Sequence, residues 1–227
     1  MRAVIAALLT LCGPEYAAAQ LCVGNTTFAL SGIQSGANID LDKLAQRYAL
    51  ELRVSYHDLL AAVDLGVKTW EVTSLDGTSR ALGLTLGLHS PHRHNTKFEL
   101  CPLVHFRSLW GPNEIGGTSW RYSETSFSGE LSAGYLLVRR KLWDVMPTAA
   151  FILGTGDPKL TTPDGGNLGQ YQDFCCGRQS FTMLRLGVGL GFSDELTLVP
   201  ELALPLSTAG QKTYAVRATL RLGKRGL

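Results

Sequence analysis

Eleven ionisable side chains stand at alternate positions inside apolar runs. They are the acids Glu51, Asp64, Glu99, Glu130 and Glu201 and the bases Arg53, Lys68, Arg107, Arg185, Arg217 and Arg221. An unpaired charge among leucines and valines is costly to strip of water, so a set nearly balanced in sign is expected to pair with itself on one shared face. Arg217 and Arg221 are expected to reach Glu201 on a neighbouring strand. The same residues could instead line a permeation path or a substrate site.

Other chemistry finds less support. His89, His92 and His94, with His57, invite a metal, but Pro91 and Arg93 interrupt any regular face and the spacing matches no closed zinc pattern. A solvated turn is expected there. His89-Ser90 is the only adjacent His–Ser pair; Pro91 follows it, and it does not match the His-x-Ser-Asn arrangement of lipid A deacylases. Catalytic residues, cofactors and metals are therefore not expected, and the chain reads as a non-enzyme. Cys22 and Cys101 are candidates for a disulfide in an oxidising compartment. The adjacent Cys175 and Cys176 could bridge each other or another chain. Trp70, Trp110, Trp120, Tyr122 and Trp143 fall at strand ends, where amphipathic rings favour a membrane interface.

The elements that position these groups follow from periodicity. In the stretch 126–138, Phe127, Leu131, Ala133, Tyr135 and Leu137 alternate with Ser126, Ser128, Glu130 and Ser132, which is strand spacing. The alternation recurs at Tyr48 to Tyr56, Leu59 to Trp70, Leu82 to Leu88, Phe98 to Arg107, Val145 to Leu153, Leu184 to Phe192, Leu198 to Leu206 and Tyr214 to Leu222, with a weaker strand at Ser31 to Leu41. About ten strands of roughly nine to twelve residues result, the span of a tilted membrane strand. Short joins are expected at 57, 140 and 194 on one side, and longer ones at 73–78, 111–118, 156–179 and 207–212 on the other. The Gly-, Asp- and Pro-rich stretch from Thr155 to Ser180 reads as the largest loop.

Residues 1–19 have a basic start, a short apolar run and an Ala-x-Ala site, the pattern of a secretory signal peptide. Segment 20–30 is expected to be tethered to a barrel domain at 31–223, leaving a tail at 224–227. No apolar run is long enough for a membrane helix. Charged residues are only 18% against 45% hydrophobic, a deficit that lipid-facing surface would explain, and a net charge of +2 gives no reason to invoke nucleic acid.

The signal peptide, the alternating strands and a final Tyr214-x-Val216-x-Ala218-x-Leu220-x-Leu222 resemble the small bacterial outer-membrane β-barrel proteins, the OmpA-like and OmpX-like group. The segment with Cys101-Pro102, Gly111-Pro112-Asn113-Glu114-Ile115 and Tyr122-Ser123-Glu124-Thr125 resembles a recurrent pattern of such barrels. The chain departs from the group in placing Leu222 where a terminal aromatic is usual. The resemblance implies an all-β, closed, antiparallel up-and-down transmembrane barrel of eight to ten strands, with outer-membrane lipid and the barrel assembly machinery as partners and termini facing the periplasm.

The role expected from these features is non-catalytic, structural or surface contact. The alternatives are a narrow porin-like channel or a soluble secreted β-barrel holding a small apolar ligand. The last would require leucines inside and charges outside.

Overall fold

The computed structural model describes residues 31–41, 45–56, 59–72, 75–88, 98–111, 121–140, 142–161, 178–192, 196–207 and 213–222. Ten long strands form the wall: β1 (Ser31–Leu41), β2 (Ala45–Tyr56), β3 (Leu59–Val72), β4 (Leu75–Leu88), β5 (Phe98–Trp110), β6 (Arg121–Tyr135), β8 (Trp143–Thr161), β9 (Gln179–Phe192), β10 (Leu196–Pro205) and β11 (Thr213–Leu222). A two-residue stub, β7 (Val138–Arg139), pairs with the start of β8 where the chain reverses. Each long strand pairs antiparallel with its sequence neighbour. β1 also pairs with β11, and β6 with β8, so the sheet closes on itself and leaves no edge among the ten. The weakly patterned first strand is thus a full stave, locked between β2 and β11 from Ile33 to Leu41.

The register drifts steadily around the wall. Ala37 faces Leu50, Leu50 faces Leu65, Leu65 faces Leu82, Leu82 faces Ser108, Ser108 faces Thr125, and Thr125 faces Asp157. Carried round the remaining staves, the drift amounts to roughly a dozen residues, a stagger that goes with strands tilted by about 40°.

Orientation is settled by exposure. Leu50 (71%), Leu65 (62%), Leu52, Leu86, Phe127, Leu131, Leu153 and Val216 all project outward, while Arg53, Asp64, Glu130 and Glu201 are buried inside. Such an exterior is stable only against hydrocarbon, and a closed barrel is the one β-architecture that satisfies every backbone group there. The soluble alternative, with a greasy interior, is excluded by this arrangement.

Two joins differ from expectation. β3 and β4 run on to a tight hairpin, Val72 opposite Leu75, so the loop expected at 73–78 shrinks to residues 73–74. β8 extends to Thr161 and β9 begins at Gln179, which trims the long loop at both ends. Gly156-Asp157-Pro158 is strand because β6 pairs with it through Ser126, Thr125 and Glu124. Proline interrupts the β9–β10 ladder, which lapses at Val199 and Pro200.

Candidate functional site

Two ends of the barrel can be told apart by the chain. At the terminal end β1 begins and β11 finishes; at the loop end lie the joins that follow β1, β3, β5, β8 and β10. The inward side chains behave differently at the two.

Near the terminal end the bore is filled. Met146, Cys101 and Thr197 show no exposure, and Val199, Ser132, Gln34, Glu99, Ser55 and Thr219 show 1–2%. Each lies within a few residues of its strand's terminal-end limit. Leu60, Cys101 and Leu103 form an apolar cluster. Gly87 makes room for it: a Cβ there would stand 2.3 Å from a Leu103 methyl.

Across the middle runs an ionic chain. His105 lies between Thr85, whose Oγ1 is 2.9 Å from Nδ1, and Glu130, whose Oε2 is 2.9 Å from Nε2. Arg185 pairs with the other Glu130 oxygen and stands 3.6 Å from Glu201, which also accepts from Arg217 at 3.1 Å. Thus β4, β5, β6, β9, β10 and β11 are cross-linked through five side chains beside Thr85. A second group occupies β1 to β3, where Arg47 binds both Asp40, at 2.8 Å, and Asp64. Arg53 pairs with Glu51, which accepts from Asn38 as well.

Toward the loop end the bore is filled only in part: Ser79, Ala45, Ala81 and Leu109 are buried, but open space remains beside them. A cavity of about 350 Å³ reaches from Leu60 and Arg53 through the ionic layer and continues along Arg107, Ser126, Phe181, Met183 and Ala203. The inward face of β5 opens in its middle: Cys101 and Leu103 are buried, His105 is partly exposed, Arg107 is exposed, and Leu109 is buried again. Glycines on this side make room for inward side chains: a Cβ on Gly83 would meet the Asp64 carboxylate. Phe181 packs on Gly154, where a Cβ would sit 2.4 Å from the ring.

The candidate residues from the sequence fall as follows. Glu51, Arg53, Glu130, Arg185, Glu201 and Arg217 are inside and ion-paired, and Arg217 reaches Glu201 as expected. Glu99 is buried at the terminal end. Arg107 is a correction: it lines the cavity but forms no ion pair among the described residues, because Asp40 and Asp64 are both held by Arg47. The Arg221 side chain lies outside the described residues. Asp40, Arg47 and His105 complete the network although the charged set above omits them; Arg47 has the same parity as Glu51 and Arg53, and that signal was available.

Of the aromatic set, Trp110 (48%) and Trp143 (46%) face outward at opposite ends, joined by Phe98, Tyr135 and Phe192 at the terminal end. Tyr122 is a second correction. It is 6% exposed and points inward, sharing parity with Glu124, to which its hydroxyl donates at 2.8 Å. The side chain of Trp70, and Trp120, lie outside the described residues. So do Cys22, Cys175, Cys176 and the histidines at 57, 89, 92 and 94. No group of metal-ligating side chains occurs among the described residues.

These features define a transmembrane β-barrel of ten antiparallel strands with a polar, partly filled interior. No protein family profile matches the chain, and no curated protein matches it. Solved structures with a similar course of chain are membrane barrels at low identity. The translocator domain of the autotransporter NalP from Neisseria meningitidis is 11% identical with a TM-score of 0.47, over 84% of this chain and 87% of that one. The KdgM porin is 8% identical with a TM-score of 0.38, over 84% and 99%. The Acinetobacter baumannii outer membrane protein Omp33 is 7% identical with a TM-score of 0.34, over 85% and 99%.

Proposed function

We propose that the protein is an integral barrel of the bacterial outer membrane with a non-catalytic, structural or surface-contact role. In this reading the termini face the periplasm and the loop end faces outward. One observation carries the role: the bore is stopped by fully buried side chains at the terminal end, Met146, Val199 and Thr197 among them. A lumen closed on one side conducts no ions, and what remains to it is mechanical presence in the membrane and presentation of loops. The charge network supports this, because its carboxylates are engaged by guanidiniums or hydroxyls instead of standing free along a path.

The Thr85–His105–Glu130 chain has the order of a nucleophile, base and acid. Glu130 is already bound by Arg185, however, and its hydrogen bonds serve to knit three strands together. Outer-membrane lipid around the barrel and the assembly machinery during insertion are the expected partners. The secretory start of the chain and the disulfide proposed between Cys22 and Cys101 fit passage through an oxidising periplasm.

Planar-bilayer recording tests the role. The refolded protein is expected to insert without discrete conductance steps. Regular openings in symmetrical salt would reject it in favour of the porin-like reading.

A further inference from the structure

The cavity in the loop-end half has a chemistry of its own. Its lining carries six carboxylates and six Lys or Arg side chains, so its net charge is close to zero and a polyanion gains nothing there. Within that balance one group stands out. Arg107 is exposed to the lumen and makes no hydrogen bond or ion pair among the described residues, while Asp40 and Asp64 are held by Arg47 and Glu124 by the Tyr122 hydroxyl. Asp64, Asp40 and Glu124 attract it from a distance, but its planar fork of donors makes no hydrogen bond to them and faces a space large enough to hold a further acceptor. Ser126 and Ser128 lie beside it on β6. The farther wall, on β8 to β10, carries Ile152, Phe181, Met183 and Ala203 beside the ion-paired Arg185 and Glu201.

The geometry points to a binding pocket for a small amphipathic monoanion, with its carboxylate or sulfonate on Arg107 and its apolar body against Phe181 and Met183. A guanidinium accepts such a group bidentately, and flexible methionine with an aromatic ring suits a compact hydrophobic body. The pocket goes beyond the structural role and does not depend on it, since the cavity is there whether or not the loops meet a partner.

The test uses 4-fluorobenzoate as probe, followed by fluorine NMR on the folded protein in detergent micelles. Arg107→Gln in the same micelles measures simple partition into detergent. Affinity is expected to fall about tenfold or more in Arg107→Gln, the effect of losing a charge-assisted contact. A similar fall is expected in Ser126→Trp, which fills the space while keeping the arginine. Acetate and fluorobenzene, each having half of the chemistry, are expected to compete at least tenfold more weakly than benzoate. Heat-modifiability gels establish that each variant is folded. Equal signals from the native protein and folded Arg107→Gln would overturn the pocket, as would inorganic phosphate or fluorobenzene competing as well as benzoate.

Discussion

The terminal half and the loop half of this barrel share the same wall and differ in what fills it. On the terminal side, inward positions carry the Leu60–Cys101–Leu103 cluster and the buried Met146 and Val199 beside small polar groups. On the loop side, Ser126, Ser128 and Ala203 line open space, and Arg107 makes no ion pair among the described residues. The wall is set by alternation and hydrogen bonding alone. Whether the bore is solid or hollow depends on the size of a few inward residues, which a closed barrel tolerates either way.

The largest effect is expected at the layer between the halves. Glu130→Ala removes the acceptor shared by Arg185 and His105 and leaves a guanidinium poorly compensated, at about 4 kcal/mol of stability. Reversible urea unfolding in lipid vesicles measures it. In the exposed pair Asp157–Lys159, Lys159→Ala is expected to cost less than about 0.5 kcal/mol.

Next in size are the paired truncations Met146→Ala and Met183→Ala. The first opens a void in a filled region, at about 3 kcal/mol, whereas the second enlarges a cavity already present and is expected to cost below about 1 kcal/mol. Equal losses in the same unfolding assay would erase the distinction between the halves. Smaller still is Gly87→Ala, whose added methyl must displace Leu103, at about 1–2 kcal/mol. Gly129→Ala meets no atom within 4 Å and is expected to be neutral by the same measurement.

Much of this was legible in the sequence, for a physical reason. Two-residue periodicity survives wherever one face meets lipid and the other meets charge, so strands such as Leu82 to Leu88 and Leu184 to Phe192 announce both their existence and their orientation. The errors lie where that contrast fades. Near the rim, Tyr122 suits either face, and parity with Glu124 decides in favour of the inside. Turn-forming residues at Gly156-Asp157-Pro158 resemble a loop, but pairing with β6 overrides their preference. Which carboxylate would engage which guanidinium was not legible, because it depends on shear: Arg185 reaches Glu130 across β8, a contact that no spacing along the chain encodes. That Arg107 makes no ion pair among the described residues is a property of the closed ring for the same reason.

The division of the bore is tested most directly by water access to matched cysteines. Ser132→Cys lies in the filled half at 1% exposure, and Ser126→Cys lines the cavity on the same strand and the same face. With a charged thiol reagent added to the folded protein and sites resolved by peptide mass, Ser126→Cys is expected to react at least about a hundredfold faster than Ser132→Cys, in keeping with the dependence of thiol reactivity on exposure. Comparable rates at the two positions would mean that water passes through the terminal half, and the account of a sealed barrel would be wrong.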